Sequence, residues 1–480
     1  MLQLFEACRL SKRTSFPLLV LFLVSLAVAC TEQTRKTHVP EQQSQAPNGA
    51  SVSEVVPVRV VRKGTGYELQ RGGEPYFIQG AGGLEQFALL KAAGGNSVRL
   101  WTTDYAQPLL DSAQAHGLTV LLGLWLVPER DGFDYYDRKA VKKQLQALRQ
   151  QVLRYRNHPA LLAWDVGNEV EQGSGNPEVF DAIDDAARMI HEVDPNHPVL
   201  STFIDPTVLK WMGNRGHELD FIAFNSYGRL EELGSYLQKI NWQQPYIITE
   251  FGAQGYWESL QTSWGAALEP RSAQKAVAVA NYYRTGIEKQ RGQCLGSYVF
   301  YWGNRQEATP TWFSLFTPTG ERTELVDQMQ YLWRGAWPAN RAPQVSDIRF
   351  DQRLASESLH LRPGQIYPAY VTAQDQEHDS LRIAWEVRPE SRWREDRKIL
   401  QVRDEPLPGA VLNPNQFRTL VRTPTTPGAY RLYVTVTDGQ GGASTANFPF
   451  YVQKSIQQDE SQPLIPFLLK LSVRAARLLN

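Results

Sequence analysis

The sequence is poor in the residues that mark several large classes of protein. Of 480 residues only three are Cys (Cys8, Cys30 and Cys294), so no internal disulfide framework is expected and stability must come from core packing. Eight His are scattered along the chain. No His-Glu-x-x-His, paired Cys-x-x-Cys or complete phosphate loop occurs, because Gly80-Ala81-Gly82-Gly83 lacks a Gly-Lys-Ser/Thr ending. No metal and no cofactor is expected. Excess charge is missing too: 50 Lys+Arg face 50 Asp+Glu, which offers no field to attract nucleic acid. The apolar run from Phe16 to Ala29 falls short of the ~20 residues a spanning helix needs. What is abundant is core material, at 42% hydrophobic residues, together with 13 Trp. Trp commonly fills cores and also stacks on the apolar faces of sugar rings.

The chemistry concentrates in two segments. His158-Pro159-Ala160-Leu161-Leu162-Ala163-Trp164-Asp165-Val166-Gly167-Asn168-Glu169 is a mostly apolar run ending in a carboxyl, as a strand covered on both faces would be. Tyr246-Ile247-Ile248-Thr249-Glu250-Phe251-Gly252 repeats the form. A carboxylate on the C-terminal lip of such a strand is where α/β barrels place their chemistry. Eight strands are expected: Phe77–Gln79, Ser97–Trp101, Thr119–Trp125, Leu161–Val166, Val199–Phe203, Phe221–Phe224, Tyr246–Thr249 and Ser297–Tyr301. Helical segments alternate with them, for example 137–156 with Val141, Leu145, Leu148, Val152 and Leu153 at helical spacing. The fold class is α/β, a (β/α)8 TIM barrel followed by a small all-β sandwich.

Asn168-Glu169 after one strand and Thr249-Glu250-Phe251-Gly252 after another resemble the retaining (β/α)8 glycoside hydrolases, most closely the catalytic barrel of glycoside hydrolase family 2, over residues 74–337. The resemblance implies a β-glycosidase working by double displacement. Glu169 would be the acid/base and Glu250 the nucleophile, held ~5–5.5 Å apart with one protonated and the other ionised. It further implies that Asn168 bonds the sugar 2-hydroxyl, that Arg99 and Tyr227 contact Glu250, and that Trp302 lies under the substrate ring. Relatives carry a His at the end of strand three, where this chain has Trp125; a different stacking surface is expected there. Trp101, Asp104, Trp257, Trp264 and Trp312 fall in loops expected over the mouth.

Around this barrel the chain divides into further parts. Residues 1–29, with Arg9, Lys12 and Arg13 before the apolar run and Ala27-Val28-Ala29 before Cys30, resemble a bacterial lipoprotein signal. Cys30 would be lipidated, anchoring the protein in the cell envelope, and Thr31 points to the outer membrane. Residues 30–56, rich in Gln, Ser, Pro and Thr, read as a flexible tether. A β-hairpin then opens the catalytic domain, 57–337. Residues 338–453 carry candidate strands at Leu359–Leu361, Tyr367–Ala373, Leu381–Val387, Tyr430–Thr437 and Ala446–Val452. They resemble an immunoglobulin-like or cadherin-like sandwich, expected to be structural, with glycan binding as the alternative. The tail, 454–480, has apolar residues at helical spacing with Lys470, Arg474 and Arg477; it reads as a membrane-surface helix or one docked on the fold.

The partner expected is a carbohydrate, an oligo- or polysaccharide. Two other functions use the same residues. A β-glucan-type transglycosylase would replace water by a sugar acceptor, and a non-catalytic glycan-binding lipoprotein would keep the barrel without its chemistry.

Overall fold

The computed structural model describes residues 55–204, 206–390 and 404–454. The readings made on residues 1–54, Cys30 among them, and on the tail 455–480 lie outside the described residues. Among the described residues no helix is long and apolar enough to cross a membrane, and Cys294 is a buried free thiol.

The chain opens with an antiparallel sheet of β1 (Val58–Lys63), β2 (Gly66–Arg71) and β3 (Glu74–Pro75), the expected hairpin plus a short third strand. Eight parallel strands then close into a barrel: β4 (Ile78–Gly82), β5 (Ser97–Leu100), β6 (Thr119–Leu124), β7 (Leu161–Asn168), β8 (Val199–Phe203), β9 (Ile222–Asn225), β10 (Tyr246–Phe251) and β11 (Cys294–Phe300). Each lies within a few residues of its expected place. The helices are α1 (Phe87–Ala92), α2 (Ala106–Ala115), α3 (Arg138–Tyr155), α4 (Glu178–Val193), α5 (Val208–Met212), α6 (Leu230–Lys239), α7 (Ser272–Tyr282) and α8 (Glu324–Arg334). At the start of α3 the Asp137 side chain accepts hydrogen bonds from the Lys139 and Ala140 amides, satisfying donors that a helix N-terminus leaves open.

Strand alternation sorts the side chains into two cores. Leu121, Leu162, Leu200, Ala223, Ile247 and Tyr298 gather inside the barrel with Val58 and Leu69 of the hairpin. The opposite faces, such as Val98, Leu100, Val120, Leu122 and Trp164, pack with the helices. Apolar filling on one side of the barrel interior leaves its other end for polar groups.

The second unit is a sandwich. One sheet runs in the order β12 (Arg322–Thr323), β19 (Gly442–Val452), β18 (Gly428–Thr437), β16 (Arg382–Pro389), with β14 (His360–Leu361) also on β19; the other is β13 (Gln344–Phe350), β15 (Ile366–Gln374), β17 (Arg418–Arg422). Phe350, Phe448, Phe450, Trp385 and Val434 contribute to its core. Because β12 precedes α8 and pairs with β19, backbone hydrogen bonds stitch barrel to sandwich. Residues between α8 and the sandwich are tied down as well: the Ala342 amide donates to Asp327 at 2.6 Å and Arg322 Nη2 to the Asn340 carbonyl at 2.5 Å.

Candidate active site

The site is built at the C-terminal ends of β5, β7, β9 and β10. Arg99, third residue of β5, is fully buried inside the barrel. Its Nη1 donates to Glu250 Oε1 at 2.6 Å, while Nη2 donates to Asp165 Oδ2 at 3.0 Å and Asn168 Oδ1 at 2.7 Å. Burial works against the guanidinium charge, but Asp165 and Glu250 outweigh it and hold Arg99 above its ordinary value. An orphan cation here would be costly, so this pairing is the condition for placing it.

Glu250 is the penultimate residue of β10, next to a register shift between Ile248 and Glu250 in the pairing with β9. Bulges of this kind re-aim side chains beside active sites. Besides Arg99, its carboxylate accepts from Trp101 Nε1 at 2.8 Å and from the Tyr227 hydroxyl at 2.6 Å. Three donors, one of them cationic, suit an anion with its oxygens fixed in direction.

Glu169 receives different treatment. It follows β7 with φ 51°, after Gly167 at φ 80°, two left-handed positions that turn the chain off the strand and over the mouth. A side chain at Gly167 would also bring Cβ to 2.8 Å from Val170 Cγ1. The Glu169 amide is tied to the Thr202 carbonyl at 2.9 Å, and Arg130 bonds its carbonyl oxygen. Its carboxyl accepts from a neutral amide, Asn225 Nδ2, at 2.7 Å. Burial first, and the charge of Glu250 second, push the Glu169 carboxyl up to about 7, with the Asn225 hydrogen bond opposing.

The two glutamates are linked through side chains. Asn225 Nδ2 reaches both Glu169 Oε1 and Asn168 Oδ1, the latter at 3.2 Å, and Asn168 Oδ1 accepts from Arg99, which holds Glu250. Both bonds converge on the Asn168 oxygen. They orient the amide so that its NH2 is the end left for another acceptor.

Aromatic rings wall the site. Trp101 stacks on Tyr301 with ring centroids 6.1 Å apart and lies over Gly82, where a Cβ would come within 2.9 Å of its ring. Tyr227 meets Trp257 edge-on at 5.6 Å, and Trp257 remains half exposed. Glu307 stands nearby. Burial raises its carboxyl, with Glu250 adding to the effect and Arg305 opposing it.

Of the residues singled out from the sequence, Glu169, Glu250, Arg99, Asn168 and Tyr227 come together here. Trp125, at the end of β6, is 37% exposed. Trp302 does not present a platform: it is 1% exposed and packs on Phe316 and Trp333 in the layer between barrel and helices. Of the loop residues, Trp101 reaches Glu250, but Trp312 is buried with its Nε1 on the Gln254 carbonyl, and Trp264 packs on His360 and Tyr451 of the sandwich. Asp104 is exposed. Sequence reasoning missed Asp165, Thr202 and Asn225. Asp165 left a signal, an ionisable residue inside an apolar run.

Comparison with known proteins places this geometry in context. Residues 84–312 match the model for glycosyl hydrolases family 2, TIM barrel domain. A β-glucuronidase of Pongo abelii is 27% identical over 190 residues, covering 36% of this chain and 27% of its own. A probable mannan endo-1,4-beta-mannosidase C of Aspergillus terreus is 35% identical over 80 residues, 14% of this chain and 20% of its own. Among solved structures, Bacteroides uniformis beta-glucuronidase 2 covalently bound to cyclophellitol-6-carboxylate aziridine aligns with TM-score 0.47 and 14% identity, covering 82% of this chain and 48% of that one. The chain thus spans about a quarter of the length of these two curated relatives and about half of that solved structure.

Proposed function

We propose that this chain, whose barrel belongs to glycosyl hydrolase family 2, is a retaining β-glycosidase acting on an oligo- or polysaccharide. Glu250 attacks the anomeric carbon while Glu169 gives its proton to the leaving oxygen; Glu169 then takes a proton from the water that releases the sugar from Glu250. The observation that carries this reading is the unequal treatment of two linked carboxyls. One is bound by Arg99, Trp101 and Tyr227, and the other is pushed up to about 7 beside a neutral amide. Such a pair divides nucleophile from acid at neutral pH.

A pocket of about 250 Å³ lined by Glu171, Ser174, Asn176, Phe180 and Trp211 begins two residues beyond Glu169 in the sequence, and in this proposal it takes a further sugar unit of the substrate. The names of the relatives, β-glucuronidase and endo-1,4-beta-mannosidase, make β-glucuronides and β-manno-oligosaccharides the first substrates to try. Attachment to the envelope through Cys30 belongs to the same proposal and rests on the sequence of residues 1–30.

The test is the configuration of the sugar first released, followed by NMR on a panel of oligosaccharides. The β-anomer appearing ahead of mutarotation is expected. Release of the α-anomer would mean inversion and would overturn the mechanism.

A further inference from the structure

The sequence offers no metal motif, yet the sandwich brings three carboxylates together. Asp375 directly follows β15, Asp379 lies in the turn towards β16, and Asp438 stands between β18 and β19. A carboxylate oxygen from each lies within 4.8 Å of the others. Asp375 is 8% exposed and Asp438 4%, while Asp379 is half-buried.

The carboxylates are held from behind by the backbone. Asp375 Oδ1 accepts from the amides of Glu377 and Asp379 at 3.0 and 2.9 Å. Asp438 Oδ1 accepts from those of Gln440 and Gly442 at 2.6 and 2.9 Å, and its Oδ2 from Asn340 Nδ2 at 2.8 Å. Asp375 Oδ2 has no donor although it is buried. A buried carboxylate oxygen without a partner is costly, and two further carboxylates beside it raise the cost. No ion pair reaches any of the three among the described residues. Two guanidinium groups of this junction are engaged elsewhere, Arg322 with Asp327 and the Asn340 carbonyl, and Arg341 with Gln376 and the ring of Trp337.

We propose that Asp375, Asp379 and Asp438 form a calcium-binding site that clasps the β15–β16 turn to the β18–β19 turn beside Asn340. Oxygens on opposite sides of one calcium ion stand ~4.6–5.2 Å apart, a shell wide enough for carboxylate oxygens that all lie within 4.8 Å of one another. The all-oxygen donor set is that of a hard cation, and the half-buried position of Asp379 leaves room for water to complete the coordination. The cation would offset two of the cluster's three negative charges and give Asp375 Oδ2 its missing partner. Since Asn340 bonds Asp438 and Arg322 bonds Asn340, the clasp would also brace the junction with the barrel. None of this depends on the proposed glycosidase activity.

The test is isothermal titration of the EDTA-treated full chain with calcium chloride, and separately with magnesium chloride, alongside thermal unfolding. One saturable calcium site per chain is expected, in the ~10⁻⁴–10⁻³ M range of extracellular modules or tighter, with a rise in Tm. Asp379→Asn should weaken it at least tenfold while leaving the secondary structure and turnover unchanged. This half-buried position carries the test if Asp375→Asn fails to fold. Absence of saturable binding at 5 mM calcium (about five times the weak end of that range), undiminished binding by Asp379→Asn, or tighter binding of magnesium than of calcium would each overturn the assignment.

Discussion

Around Arg99 and around Arg431 the protein buries guanidinium groups among carboxylates, and the two surroundings differ in what is left over. At the junction of barrel and sandwich, Arg431 binds Glu390 through both Nε and Nη2, the Ala267 carbonyl, and Asn447. Asn447 in turn binds Glu269, which Lys275, Thr309 and Thr311 also hold. Lys275 and the two threonines leave Glu269 well satisfied, and both ends of the Lys275–Glu269 pair are buried. At the barrel mouth, Arg99 satisfies Asp165 and Glu250 in the same manner, but Glu169 stands beside them with a neutral donor. A raised carboxyl is not what separates the two regions. Glu324 at the junction is also pushed up to about 7 by burial, opposed by Ser444, and it is only 5% exposed. The mouth differs in placing its raised carboxyl, only partly buried, next to a second carboxylate held by three donors. The network at the junction closes on itself; the one at the mouth keeps an unequal member, Glu169, which is the member the proposed chemistry uses.

Substitutions on either side can break or sharpen this contrast. Glu169→Gln should lower kcat/KM on oligosaccharides by ~10²–10⁴, the range for a lost acid–base group. With activated aryl glycosides, which need less protonation, the loss should shrink, and thermal stability should barely move. Lys275→Met leaves Glu269 charged and buried, so it should cost ~3–5 kcal/mol in urea unfolding with kcat/KM of the folded protein unchanged. If the junction variant lost turnover and the mouth variant lost stability, the division would be reversed. Tyr227→Phe removes one hydrogen bond to a charged group, of ~1.5–3 kcal/mol; kcat should fall tenfold to a hundredfold in proportion, at ~1.4 kcal/mol per decade. The smallest effect is in pH. Glu169 works protonated and its carboxyl sits at about 7, so kcat/KM should hold below that value and fall tenfold per unit above it. Glu169→Gln should lack this limb.

The barrel was legible because each strand is an apolar run whose end is marked by polar or glycine residues, and both glutamates stand at such ends. The sandwich was legible in its long, β-branched strands β15, β16, β18 and β19. Strands β13 and β17 escaped because charged residues interrupt them: Gln344–Phe350 carries Asp347 and Arg349, and Arg418–Arg422 begins and ends in exposed Arg. Trp302 was misplaced for a geometric reason. It follows Tyr301, whose ring takes the face towards Trp101, and the next side chain turns outward into the helix layer. The links between the glutamates depend on which atom of Asn168 or Asn225 faces which neighbour, and that is fixed only by register among four strands. Asp438 lies far along the chain from Asp375 and Asp379, so their meeting follows from sheet topology rather than spacing.

The most direct test of the two-glutamate account is to trap the intermediate. The protein would be incubated with activated 2-deoxy-2-fluoro-β-glycosides, first the glucuronide and the mannoside, and the adduct mapped by peptide mass spectrometry. Fluorine destabilises the oxocarbenium-like state, so the glycosyl-enzyme should accumulate. The account predicts one glycosyl group on Glu250, absent in Glu250→Gln and still formed by Glu169→Gln when the leaving group is activated. An adduct on Glu169, Glu307 or another carboxylate would contradict it.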